Sequence, residues 1–193
     1  MSNSKLTRTQ KQAILICAML IIMVLVTTLT GLLGRNWTQF ITRSVGGQES
    51  WAGIYVSLGN AVVYLSVLVL GGPWGAVVSV VGTLISDLIL GAYQRILGSI
   101  FINTGMAFFI AAFCRHCSNW KRSFVVAAVA ELIMLFGYFL FDLIVMREFT
   151  VAALAFLVDI GQAFVCGLVG TVILRRVRPM RPDALPTVKR EAQ

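Results

Sequence analysis

The 193-residue sequence predicts an all-α integral membrane protein, a compact bundle of six transmembrane helices with both chain ends on the cytoplasmic side. Three observations carry that expectation. Hydrophobic residues make up 58% of the chain and charged residues only 12%, with a mean hydropathy of +0.87, whereas soluble domains carry about a quarter charged residues. Six apolar stretches each approach the ~20 residues that a helix needs to cross the bilayer core. Lys and Arg divide unequally between alternate loops, which orients the bundle. Such an excess of apolar side chains cannot all hide in one water-soluble core of this size. Lipid must solvate most of the surface.

The segment 1–12 is polar, carries Lys5, Arg8 and Lys11, and is read as a cytoplasmic N-terminal stretch. The spans within the domain 13–174 follow in order: Ala13 to Leu33, Gly53 to Leu70, Trp74 to Gly91, Leu97 to Phe113, Phe124 to Met146, and Val151 to Leu174. A cleaved signal peptide would have a shorter apolar core than the first of these, so that run is kept as a helix. The second and third spans are separated only by Gly71-Gly72-Pro73, a tight hairpin signal. The segment 175–193, with Pro179, Pro182 and Pro186, reads as a basic cytoplasmic tail suited to anionic lipid or a partner.

With the N-terminus inside, Lys5, Arg8, Lys11, Arg115, Lys121, Arg122 and six basic residues after Leu174 lie on the cytoplasmic side. Arg35, Arg43, Arg95 and Arg147 lie opposite, a split of twelve to four among the 16 Lys and Arg. The net charge of +8 therefore sits at the chain ends and in one loop. It forms no amphipathic basic groove with interleaved aromatics, which argues against nucleic acid.

Ionisable residues inside spans are costly and usually serve a purpose. Here they are Asp87, Glu131, Asp142 and Asp159, with Asn60, Asn103 and Gln162 as neutral companions. The orientation places all but Glu131 in the outer half of the membrane. Such convergence suits a small-molecule pocket with apolar walls and a few donors and acceptors. Carboxylates outnumber interior cations, so a neutral or weakly basic ligand fits better than an anion. Pairing with each other, with Arg95 and Arg147, or with backbone is the alternative use of these charges, and Asp142 with Arg147 would make such an interfacial pair. The external loop from Gly34 to Ala52 contains Trp37, Phe40 and Trp51, which either anchor the interface or close over a pocket.

Several chemistries are missing. No G-x-x-x-x-G-K-[ST] loop encodes ATP hydrolysis. Cys114-Arg115-His116-Cys117 holds the sole histidine and lacks a fourth ligand at zinc spacing. No G-x-S-x-G nucleophile motif is present. The chain reads as a non-enzyme with no metal and no covalent cofactor.

Six helices, Leu58-Gly59-Asn60-Ala61 at the start of the second, the Gly71 to Ala76 turn, and Gly82, Asp87 and Tyr93 form an ordered pattern. Gly137-Tyr138-Phe139 and Ile160-Gly161-Gln162 continue it. From Ala13 to Leu174 the chain resembles substrate-binding (S) components of energy-coupling factor (ECF) transporters. The likeness is to the riboflavin-transporter-like family that includes hydroxymethylpyrimidine and pyridoxine carriers. The resemblance implies a cell-membrane subunit that captures a vitamin or precursor outside. A transmembrane coupling protein and two ATPase subunits, which consume ATP, would then drive its delivery by reorientation. It further implies a substrate site of Asn60, Asp87, Tyr93, Asn103, Asp142, Asp159 and Gln162, gated by the loop bearing Trp37, Phe40 and Trp51. The small pair Ala13 and Cys17 matches the family's A-x-x-x-A contact with the coupling protein. Asn103 stands where relatives often carry lysine, and Asp142 and Asp159 where glutamate and asparagine are common. Hydroxymethylpyrimidine or a B6 vitamer is the expected ligand and riboflavin the next. A stand-alone channel or proton-coupled carrier, relaying through Glu131 and Asp159, is the rival of another class.

Overall fold

A computed structural model describes residues 7–46, 56–114, 117, 119–147 and 149–177. Helices account for all the regular structure among them: α1 (Arg8–Gly46), α2 (Gly59–Leu70), α3 (Gly72–Leu90), α4 (Ile96–Phe113), α5 (Trp120–Met146) and α6 (Phe149–Arg176). A 3₁₀ turn over Tyr93–Arg95 joins α3 to α4. Five stretches are long and apolar enough to cross a membrane: Thr9–Gly34, Gly72–Leu90, Tyr93–Phe113, Trp120–Val145 and Ala152–Arg176.

Helix α2 corrects the expected second span. It has 12 residues, roughly 18 Å of helix against a bilayer core of about 30 Å. Gly53–Tyr55 lie outside the described residues, and Val56 to Leu58 are not helical. Ten of the twelve α2 residues are buried, which is how a helix apolar on every face is accommodated. It is the core about which α1, α3, α4 and α6 pack.

The first helix is also longer than expected. Residues 35–46, read from sequence as a loop, continue α1 to Gly46. They contain no proline, and a lone glycine such as Gly34 weakens a helix by only about 1 kcal/mol without ending it. Trp37 and Phe40 therefore stand on helical backbone, while Trp51 lies outside the described residues.

The hairpin between α2 and α3 forms as its sequence suggests. Gly71 adopts φ 84°, and Pro73 occupies the first turn of α3, where its missing N–H costs nothing. The two helices then run in close contact because Gly75 has no side chain. A Cβ there would lie 2.6 Å from Val67 Cα, a backbone atom that cannot step aside. Gly75→Leu is thus expected to cost about 1–3 kcal/mol or more through overpacking, seen as a lower melting temperature of the purified protein.

Helix α3 ends in a left-handed cap. Gly91 has φ 76°, its N–H donates to Leu88 O and the N–H of Ala92 donates to Asp87 O, the paired bonds of a Schellman motif. This stop lets the 3₁₀ turn bring the start of α4 back beside the end of α3. Tyr64, Met23, Leu68, Met106, Ile110, Met134 and Val63 fill the interior. Leu25, Leu29, Phe101, Ile144 and Phe164 point outward, as lipid-facing side chains do.

Candidate functional site

Antiparallel succession brings six chain positions to one end of the bundle: the middle of α1, the start of α2, the end of α3, the start of α4, the later part of α5 and the first half of α6. A small cavity of about 30 Å³ lies there, room for a few water molecules at the ~10–15 Å³ that one requires. Thr27, Ser57, Gly59, Asn60, Thr83, Asp87, Arg95, Ser99, Asn103, Tyr138, Asp159 and Gln162 line it. This is the end opposite the start of α1 and the end of α6.

Arg95 is the centre of charge. It is 5% exposed although it sits at a helix junction. Its Nε donates to Asp142 Oδ1 at 3.3 Å and its Nη2 donates to Asp142 Oδ2, a two-point pairing that holds the guanidinium plane. Nη2 also lies 3.6 Å from Asp159 Oδ2, a charge contact beyond hydrogen-bonding distance. The guanidinium carbon stands 5.2 Å from the centre of the Tyr138 ring, within range of a cation–π interaction.

Tyr138 is held from its other end as well. Ser99 Oγ donates to Asp87 Oδ2 at 2.8 Å and lies 2.9 Å from Tyr138 Oη. A serine hydroxyl has one proton, so with that proton on Asp87 the phenol is the donor to Ser99. The relay Tyr138, Ser99, Asp87 joins α5, α4 and α3. Opposite, Asn103 Nδ2 donates to Thr83 Oγ1 at 3.3 Å, and Thr83 donates to Ser79 O.

The α2 side is tied equally firmly. The Ser57 N–H donates to Gln162 Oε1 at 2.7 Å, and the Leu58 N–H to Thr30 Oγ1 at 3.0 Å. Ser57 Oγ accepts the Gly59 N–H at 2.9 Å, a local side-chain bond that starts the helix. Asn60 Nδ2 donates to Glu131 Oε2 at 3.1 Å, and Tyr64 Oη donates to Glu131 Oε1 at 3.0 Å. Glu131, expected alone in the other half of the bundle, is thereby linked to the cavity through Asn60.

Of the residues singled out from sequence, Asn60, Asp87, Asn103, Asp159 and Gln162 line the cavity. Asp142 stands behind it as the partner of Arg95. Tyr93 does not belong: its side chain is 65% exposed, on the outer side of the 3₁₀ turn that buries Arg95. One further expectation is corrected: Arg95, counted with the outer loop charges, is an interior cation. Of the two arginines offered as partners for the carboxylates, Asp142 takes Arg95 and not Arg147, which is exposed in a left-handed cap conformation. Sequence reasoning missed Thr27, Ser57, Thr83 and Ser99, took Arg95 only as a pairing partner, and took Tyr138 only as part of a family pattern.

Ala13 and Cys17 are exposed near the start of α1. Arg115 and His116 lie outside the described residues, as does the tail from residue 178. Among the described residues no three His, Cys, Asp or Glu side chains converge as a metal site. The model of the family described as ECF-type riboflavin transporter, S component, matches residues 38–179. No curated protein and no solved structure matches the chain.

Proposed function

The chain belongs to the family of S components of ECF-type riboflavin transporters, and from that membership we propose that it is the substrate-capture subunit of an ATP-driven importer of hydroxymethylpyrimidine or a B6 vitamer such as pyridoxine. One observation carries the reading. Polar side chains from all six helices meet at a single cavity within an otherwise apolar membrane bundle, and membrane proteins concentrate costly polar groups where a solute is handled.

The lining supports a small ligand with hydroxyls and a basic ring nitrogen. Asp142 and Asp159 flank one guanidinium, Asp87 adds a third carboxylate to the lining, and the space is tight enough that the walls must part even for a single aromatic ring. Riboflavin is the second reading, favoured by the matched family's description. Its three fused rings and ribityl chain demand a much wider opening. Titration of the purified chain with pyridoxine, hydroxymethylpyrimidine and riboflavin decides between them. Saturable binding of either small ring compound with weaker riboflavin binding is expected; riboflavin binding alone would transfer the assignment.

Energy comes from elsewhere in this reading, since no phosphate-binding loop is present in the sequence. A coupling protein and two ATPase subunits would tip or open the bundle towards the cytoplasm. The exposed pair Ala13 and Cys17 offers a small-residue face at helical spacing for such a partner, although it precedes the matched residues. Ala13→Trp or Cys17→Trp is expected to abolish co-purification with the coupling protein and transport, while ligand affinity stays within about twofold. Retained assembly in both variants would remove this face from the proposal.

A further inference from the structure

Two buried polar atoms at the cavity have no hydrogen bond among the described residues. Asp159 Oδ2 and Thr27 Oγ1 lack a hydrogen-bond partner among the described residues, and both residues line the cavity at 2% exposure. Leaving such atoms without a partner forfeits the hydration they had in water, so a structure that keeps them has a use for them.

Neither is an ordinary lapse. Thr30, Ser79, Thr83, Ser86, Thr104 and Thr171 each return the hydroxyl proton to the carbonyl four residues earlier, at 2.6–2.9 Å. Thr27 does not, though it lies on α1 one turn before Thr30. Thr28 Oγ1 is also unpartnered but is outside the cavity lining. Gly59 keeps the space beside Thr27 open, since a Cβ there would come within 2.7 Å of Thr27 Oγ1. Asp159 is equally specific. Arg95 is committed to Asp142 by two donors, so it offers Asp159 charge at 3.6 Å and no hydrogen bond.

We propose that Asp159 and Thr27 form a donor-selecting subsite, which admits ligands presenting an N–H, an ammonium or a hydroxyl to Asp159 and rejects the same ring carrying an anion there. Three carboxylates against one guanidinium give the lining and its backing a formal charge of −2 when all four are ionised. An incoming carboxylate or phosphate would meet that field and, at Asp159 Oδ2, an acceptor that lacks a hydrogen-bond donor, a pairing of like charges whose cost in low dielectric is severe. A donor on the ligand would satisfy Asp159 Oδ2 and leave the Arg95–Asp142 pair undisturbed. Thr27, as donor or acceptor, would take the adjoining polar atom. The inference rests on the vitamin-capture reading and adds the charge rule by which that site chooses.

Calorimetric titration of the purified full chain with pyridoxamine, pyridoxine and 4-pyridoxic acid tests the rule. These share one ring and differ at one substituent as cation, neutral hydroxyl and anion. The expected order is pyridoxamine at least equal to pyridoxine, with 4-pyridoxic acid weaker than pyridoxine by tenfold or more. Asp159→Asn, which keeps size and removes charge, is expected to shrink the gap between cation and anion to threefold or less. Thr27→Val is expected to weaken pyridoxine by about threefold to tenfold without changing the order. Equal affinity for cation and anion in the wild type, or an unchanged order in Asp159→Asn, overturns the subsite while leaving vitamin capture intact. If only riboflavin binds, the B6 reading fails, and the subsite then requires Asp159→Asn to weaken riboflavin by tenfold or more; indifference overturns it. Binding of none of the four compounds overturns the subsite, and if hydroxymethylpyrimidine also fails to bind, the capture reading falls with it.

Discussion

Arg95→Met is expected to destabilise the bundle by about 3–5 kcal/mol, the range for removing one partner of a buried ion pair. The substitution preserves volume and strands Asp142, which loses both hydrogen bonds, and Asp159, which loses its neighbouring charge. It also frees one face of the Tyr138 ring, so ligand affinity should fall along with melting temperature in detergent. A second variant separates the causes. Arg95→Met combined with Asp142→Asn removes a stranded charge together with its partner and is expected to regain a substantial part of the lost stability. Arg95→Lys keeps the charge but has a point donor in place of the planar fork, and should fall between the wild type and Arg95→Met. A melting temperature for Arg95→Met within about 2 °C of the wild type would mean that the pair does not hold the site together.

The other large effect is expected at Tyr64, the largest side chain in the fully buried core. Its ring lies on Gly170, where a Cβ would come within 2.6 Å of the ring edge. Its hydroxyl is 3.0 Å from Glu131 Oε1 and 3.1 Å from Ala127 O. Tyr64→Ala opens a cavity between α2, α5 and α6 and is expected to cost about 3–5 kcal/mol, as for other buried aromatic rings. Tyr64→Phe keeps the ring and removes only the hydroxyl, leaving Glu131 with Asn60 as its remaining side-chain donor. About 1–3 kcal/mol is the expected loss. If Tyr64→Phe proved as damaging as Tyr64→Ala, the hydrogen bonds and not the packing would dominate at this position.

Much of this organisation is legible in the sequence. Apolar runs long enough to cross a bilayer mark the helices, and Asp87, Asn103, Asp159 and Gln162 declare themselves because polar side chains are conspicuous in apolar spans. Arg95 escapes the same logic. An arginine near the end of a span is normally counted as a loop charge, and only the left-handed cap at Gly91 followed by a 3₁₀ turn rotates it inward. That turn also sends Tyr93 outward, two residues away. The aromatic wall of the site is Tyr138, whose position on a mostly apolar α5 gives no sign of the relay through Ser99. Thr27, Ser57 and Thr83 carry little signal either, because most hydroxyls in membrane helices are satisfied by their own backbone. The extents of α1 and α2 depend on packing. Gly34 and the polar stretch after it mimic a loop but form a helix, and Val56 to Leu58 mimic part of a span but are not helical.

Solvent access to the cavity from the face away from the chain ends is the claim on which capture depends. Ser57→Cys, a near-isosteric change in the cavity wall, can report it in a chain whose four native cysteines are replaced. A membrane-impermeant thiol reagent added outside intact cells should modify this position. Saturating pyridoxine, hydroxymethylpyrimidine or riboflavin should slow that modification by tenfold or more, and Phe101→Cys on the lipid-facing surface should stay unmodified. Labelling of Ser57→Cys only from the side bearing the two chain ends, or at a rate that none of the three compounds alters, would contradict it.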